Sequence, residues 1–410
     1  MIESSRRTIV SLALQVAFYA SGCTHAQYYR ILKQSLGVQA VTCKPFYEMI
    51  KLVFPHVGGM IDEMCIEAMD DMEALPPGEI GSMQRAIVTG DGTWLTRGHF
   101  SKNHTYTIRN YMTGALLYVV HVFMRGEDDL VEGELYKGTA KSAEGYAADE
   151  AFGMAKDDGM HVEVQWQDAD SSSSASFRKH YPDETKSCIM LCAGHVGRCH
   201  TKALTKLSQK KSFTKRYINK HKESFLEVET VKCCCEGGNH SQGCGCMSDG
   251  FLRQARINFF CCLVQSGKDP DAFAKRLCDL GKYHARNTHS WEGGSCDFHS
   301  ERKCTCGSCE EDEVECEGRE YATKNPLTCP LHALAYEIEC NIRAARSHNV
   351  IHPELGKGHS NLCEGSHNVL IRFRSKDLHL HRLHYITSTN LGLCQSKMPI
   401  QSATRSNISF

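Results

Sequence analysis

Over the first 80 residues the apolar positions recur at helical spacing. Ile9, Leu12, Val16 and Tyr19 fall on one stripe, which predicts a helix over 8–21 with Gly22 as its stop. Arg6-Arg7 ahead of this stripe imitates a signal peptide. Gln15 breaks the apolar run, however, and export would endanger the thiol clusters further on, so a helix of the mature domain is expected. Further helices are expected over 28–36, 44–55 and 61–75. The last carries Asp62, Glu63, Glu67, Asp70, Asp71 and Glu73 as a solvated face and ends at Pro76-Pro77-Gly78.

The period then changes from helical to alternating. Residues 85–95, 105–111 and 115–124 read as three successive strands, with Met112-Thr113-Gly114 as a tight turn. An Ala- and Glu-rich helix over 140–156 follows, stopped at Asp157-Asp158-Gly159. A fourth strand over 162–166 runs into Asp168-Ala169-Asp170 and four serines, a helix cap. A helix over 175–181 and a fifth strand over 188–191 complete the block. This order predicts an α/β, ribonuclease-H-like core. Two more helices are expected, over 331–347 and 361–373. The expected organisation is an N-terminal helical region (1–80), the first part of the core (81–200), a basic and Cys/His-rich insertion (201–330), a C-terminal helical part of the core (331–397) and a polar tail (398–410).

Composition adds three things. With 41% apolar residues in 410, the chain can bury a core. Lys plus Arg (47) balances Asp plus Glu (48), so no global charge announces nucleic acid. The longest apolar run, 115–124, contains a His and falls far short of the roughly 20 residues needed to span a bilayer. The 23 Cys and 22 His are the unusual feature. Most Cys crowd between 188 and 340 in C-x-C, C-x-x-C and C-x-x-H spacings, which points to reduced thiolates holding zinc. One group is Cys233, Cys235, His240, Cys244 and Cys246. The second is Cys296, His299, Cys304, Cys306, Cys309 and Cys316, with Cys329 and His332 beyond it. Interleaved glycines suit tight metal-wrapping turns. About two structural zinc ions are expected there. Residues 201–222 carry eight Lys or Arg and no acid, either a phosphate-contacting face or a plain solvated helix.

Three acidic positions carry the candidate chemistry. Asp91 stands mid-strand between Gly90 and Gly92, where a buried carboxylate must be paired or bind metal. Asp168 and Asp170 follow the fourth strand, at the carboxyl end where ligands gather in open α/β sheets. Glu364 lies in a helix leading to Arg372, Arg374 and Lys376. Carboxylate oxygens suit magnesium, and two such ions can clamp an in-line phosphoryl displacement.

Gly90-Asp91-Gly92-Thr93-Trp94, Asp168-Ala169-Asp170-Ser171-Ser172, Cys192-Ala193-Gly194-His195 and Cys363-Glu364-Gly365-Ser366-His367-Asn368 together resemble the catalytic blocks of Mutator-like DDE transposases, from about residue 8 to about 397. Asp91 and the second acid lie 77 positions apart if that acid is Asp168 (168 − 91), and Glu364 follows after a long insertion. The resemblance implies a ribonuclease-H-like core with Asp91, Asp168 or Asp170, and Glu364 as catalytic acids, Mg2+ or Mn2+ held by Asp91, Asp168 and Glu364, and Cys192 with His195 as the family's C-x-x-H. It further implies attack by water at a transposon end, then attack of the released 3′ hydroxyl on target DNA. The partners implied are transposon ends and target DNA, in a nuclear homo-oligomer with no membrane or small-molecule substrate. Lys206, Lys210, Lys211, Lys215, Arg216, Arg372, Arg374 and Lys376 are the expected phosphate contacts. No separate DNA-reading domain precedes the core in this sequence, so end recognition is expected in the insertion or missing. The rival readings are a catalytically inactive, zinc-stabilised DNA- or protein-binding module, and a zinc hydrolase, which the absence of H-E-x-x-H disfavours.

Overall fold

The computed structural model describes residues 9–96, 101–125, 131, 133–168, 171–182, 187–209, 247–296, 301–304, 319–323, 325–374 and 380–396. The chain forms two compact units, one drawn from Met1–Ile189 and His359–Phe410, the other from Met190–Gly358. Among the described residues no helix is long and apolar enough to cross a membrane.

The first unit opens with α1 (Ile9–Ala20), closed as the sequence predicts. Gly22 adopts φ +78°, and the amides of Gly22 and Cys23 bond back to the carbonyls of Tyr19 and Phe18, a Schellman stop. α2 (His25–Tyr29) starts at a Thr24–Gln27 capping box and continues as wide π turns to Ser35. After α3 (Cys43–Glu48), α4 (Ile50–Glu73) is one helix where two were expected. Pro55 falls near its start, where few intrahelical bonds are at stake, and Val57, Ile61, Ala68 and Met72 keep one buried face throughout.

Five strands form the sheet: β1 (Ala86–Trp94), β2 (Asn103–Asn110), β3 (Leu116–Phe123), β4 (Val162–Gln167) and β5 (Cys188–Leu191), in spatial order β3-β2-β1-β4-β5. β1, β2 and β3 form an antiparallel meander, and β4 pairs with β1 in parallel. α5 (Ala140–Asp157) supplies the crossover. α6 (Ser171–His180) begins at the serine run, four residues earlier than expected. The architecture is α/β.

The two sheet faces differ chemically. On one, Ala86, Val88, Tyr106 and Ile108 pack against the alanine stripe of α5 and Phe177 of α6. On the other, Thr89, Asp91, Thr105, Thr107 and Arg109 meet α11 (Asn361–Phe373) and α12 (Arg382–Gln395).

The second unit packs α7 (Ala193–Ser208), α8 (Asp249–Gln265), α9 (Pro270–Lys282) and α10 (Pro330–Ala344) around Phe251, Phe259, Phe273, Leu277 and Tyr336. Short pairings flank them, including the hairpin of β6 (Ser290–Trp291) and β7 (Gly294–Ser295) and the pair β8 (Glu301–Cys304) and β9 (Arg319–Ala322). α8 and α9 stand where a continuous ligand-rich stretch was expected. Ser248 and Asp269 cap them, and apolar residues at helical spacing bury one side of each. Residues 331–358, expected in the core, belong to this unit.

Candidate functional site

Asp91 sits on the polar face of β1, opposite Thr107 of β2. One carboxylate oxygen accepts the Gly92 amide at 2.8 Å, and the other lies 3.4 Å from His367 Nδ1. His367 belongs to α11, as does Glu364 one turn earlier, so both share a helical face. Cys363 anchors that helix: its thiol reaches the Thr89 carbonyl at 3.5 Å and is fully buried. Burial pushes the Cys363 thiol up to about 12, and the neighbouring Asp91 charge adds to the effect. It is a packing group rather than a nucleophile. Ser360 donates to a Glu364 carboxylate oxygen at 3.2 Å, just outside the helix start.

The β1–β4 ladder runs towards the second acidic position. Val88 pairs with Gln165 and Thr89 with Trp166, an offset of 77 (166 − 89) that matches the spacing of Asp91 and Asp168. The paired residues end at Thr89 and Trp166 and β4 ends at Gln167; continued two steps, the same register would bring Asp168 level with Asp91. Orientation agrees. Gln167 bonds Ser174 of α6 on the far face, so alternation turns Asp168 towards the α11 side. Asp91 and His367 thus meet on the polar face, with Glu364 one turn before His367 on the same helix. The carboxylates do not close into a group with ligand atoms within 4.8 Å of one another. His367 was missed as a contributor, although Glu364-x-x-His367 is an i, i+3 pair that marks a shared helical face.

The flanking glycines serve the opposite face. A Cβ on Gly90 would lie 2.5 Å from Tyr106 Oη, and one on Gly92 would lie 2.5 Å from His104 Nε2. Tyr106 and His104 of β2 are the side chains that approach the backbone closely there.

Around the site runs a buried polar relay. Arg374 donates to Tyr385 Oη (2.8 Å), Tyr385 to Thr105 Oγ1 (2.7 Å), Thr105 to His121 Nδ1 (2.9 Å), and His121 Nε2–H to Asn390 (3.0 Å). Burial lowers His121 to about 4 and His104 to about 3. Arg374 is therefore a correction. Its guanidinium is 3% exposed and lies over the Tyr385 ring at 4.7 Å, so it supports the core instead of meeting phosphate. Arg372 and Lys206 are exposed, as a phosphate contact requires.

In the second unit, His284, His289 and Cys296 offer ligand atoms within 4.8 Å of one another and can hold a metal ion. Cys296 was expected as a ligand; the two histidines precede the cysteine-rich stretch and were missed. Cys329 and His332 are buried with Sγ and Nδ1 3.3 Å apart, and they do not belong to that group. Cys192 caps α7, with His195 one turn on. His200, further along the same helix, stacks on Phe259 and lies 3.4 Å from Glu339. Cys304 is described in backbone only, within β8. Asp170, Lys210, Lys211, Lys215, Arg216, Cys233, Cys235, His240, Cys244, Cys246, His299, Cys306, Cys309, Cys316 and Lys376 lie outside the described residues. Compared with protein-family models, curated proteins and solved structures, the chain matches none.

Proposed function

We propose that the first unit is a ribonuclease-H-like catalytic core of the Mutator-like DDE kind, cutting and joining DNA phosphodiesters with Mg2+ or Mn2+. The observation that carries this reading is the offset of 77 in the β1–β4 ladder, which, continued two steps, would bring Asp168 level with Asp91, where His367 of the helix bearing Glu364 meets it. The strand order β3-β2-β1-β4-β5, with its antiparallel meander and parallel β4, supports it. The donor set is also suitable. Asp91, Asp168 and Glu364 offer hard oxygens, and His367 fixes the Asp91 carboxylate from its far side. When bound, the divalent ions supply charge neutralisation at the phosphate and lower the pKa of water. The substrate is DNA, as transposon ends and target, which implies work in the nucleus and as a homo-oligomer. In the second unit, thiol and imidazole donors suit structural zinc.

The test is a Mg2+- or Mn2+-dependent nicking assay on supercoiled DNA. Asp91→Ala and Glu364→Gln are each expected to abolish cleavage while leaving DNA binding intact. Cleavage at the wild-type rate by Glu364→Gln overturns the mechanism. A transposase-derived binding module without catalysis is the second reading. It is favoured by the Asp91 carboxylate being already engaged by Gly92 and His367. Absence of nicking by wild-type protein that still binds DNA would select it.

A further inference from the structure

We infer that His284, His289 and Cys296 are three ligands of a single zinc ion that clips the end of α9 to the β6–β7 hairpin. The inference rests on the zinc reading of the second unit and is independent of the DNA-cutting reading. Its basis is that three elements, none long enough to be stable alone, converge on one point. His284 opens the 3₁₀ turn after α9, His289 precedes β6, and Cys296 follows β7. The Cys296 amide bonds the His289 carbonyl at 2.8 Å, closing the hairpin base so that both side chains sit side by side.

Distances fit a tetrahedral ion. With Zn–S near 2.3 Å and Zn–N near 2.05 Å, tetrahedral ligand atoms stand roughly 3.3–3.6 Å apart. His284 Nδ1 and Cys296 Sγ are 3.1 Å apart, and no pair in the group exceeds 4.8 Å. Shifts of about an ångström complete the geometry. The donor set of two imidazoles and one thiolate selects zinc over Mg2+ or Ca2+.

The surroundings also set the tautomer. Thr323 donates its hydroxyl proton to the His284 carbonyl at 2.5 Å, so its oxygen accepts from His289 Nε2 at 3.3 Å. The Asn287 side-chain Oδ1 lies 3.3 Å from the same Nε2 and also accepts the Thr323 amide at 2.7 Å. Two acceptors facing Nε2 hold the proton there and leave the Nδ1 lone pair for metal. This is how outer groups orient a ligating histidine. Asn287 holds its place at φ +62°, a left-handed turn that asparagine tolerates. Cys296 and Ala285 are buried in the apolar core of this unit, and His289 is half-buried at the hairpin base.

The test uses full-length protein purified without added metal. Zinc per chain is measured by mass spectrometry for wild type, Cys296→Ser and His284→Ala, and cobalt-loaded samples are read for the sulfur-to-cobalt charge-transfer band. Each variant is expected to lose about one zinc per chain, with the charge-transfer intensity of Cys296→Ser falling by one thiolate's share. Cys296→His, which keeps a zinc donor, is expected to retain the zinc and lose that intensity, which separates ligation from misfolding. If wild type holds zinc and all three variants keep both its amount and the band, the inference is wrong and the wider zinc reading stands. If wild type holds none, both fall, whatever the nicking assay shows.

Discussion

Replacing Gly90 by alanine isolates the packing that holds the Asp91 strand in place. The new methyl would point away from Asp91, into the face covered by α5 and α6, and lie 2.5 Å from Tyr106 Oη. Tyr106 cannot swing out: it is 1% exposed, and its hydroxyl bonds Ser173 Oγ at 2.7 Å. Either the ring moves and that bond breaks, or β1 shifts. Overpacking of this kind costs about 1–3 kcal/mol, and losing the buried hydroxyl's bond about 1–3 kcal/mol more. The sum, about 2–6 kcal/mol, is a large part of the roughly 5–15 kcal/mol that stabilises a typical domain.

Urea unfolding followed by tryptophan fluorescence suits the measurement, because Trp94 and Trp166 both lie in this sheet. The decisive comparison is a cycle with Tyr106→Phe. That change alone should cost about 1 kcal/mol. In the double variant it removes the atom at 2.5 Å and leaves the next contact at 3.2 Å, which needs only a few tenths of an ångström of relief. The double variant should therefore be more stable than the two single costs imply, by about 1–2 kcal/mol. A Gly90→Ala protein within about 0.5 kcal/mol of wild type, or strict additivity in the cycle, refutes the packing argument.

Four further outcomes are expected. His104, His121 and His384 are held neutral mainly by burial, at about 3, 4 and 4. Their stabilisation is complete above the ordinary histidine value of about 6.5 and is lost as pH falls towards 4, because the unfolded chain takes up the protons first. With three such groups the slope approaches 4 kcal/mol per pH unit, so urea midpoints that stay flat from pH 7 to 5 would contradict it. His367→Ala should weaken Mn2+ binding about 10–100-fold by calorimetry, since it removes the group that orients the Asp91 carboxylate; unchanged affinity would reduce His367 to packing. Arg372→Ala should lower the salt dependence of DNA binding by about one unit of slope and leave the melting temperature alone. Arg374→Ala should instead cost about 2–3 kcal/mol of stability, and a normal melt would show that the buried guanidinium is dispensable.

Legibility of the fold followed the chemistry of each surface. β1 to β5 and α11 could be read because each presents one face to a core and one to something different, so period 2 or 3.6 survives in the sequence. α12 could not. It is buried nearly all round, and Thr387, Ser388, Thr389 and Asn390 lie inside it where apolar residues would normally mark a core helix. These polar residues suit a sheet face that is itself polar, as in the bond between Asn390 and His121. α8 and α9 were hidden differently, since a stretch dense in cysteine draws attention to ligands and away from the helical spacing of Phe251, Ala255, Phe259 and Cys262.

The spacing of the acids carried information that becomes usable only with the ladder. Seventy-seven positions between Asp91 and Asp168 are a bare number in the sequence, because loops and α5 absorb any length. The register gives that number a meaning: parallel strands offset by 77 bring residues 77 apart to the same level. Continued to residue 168, that register would bring Asp168 level with Asp91, information that residue counting alone does not hold. Glu364 needed no register. It arrives on α11, which is fastened to β1 through Cys363 and Thr89, and one turn later the same helix brings His367 to Asp91. A site assembled this way depends on two independent alignments, strand against strand and helix against strand. A substitution disturbing either, such as Gly90→Ala or loss of the Cys363 contact, should weaken divalent-ion binding without touching a ligand.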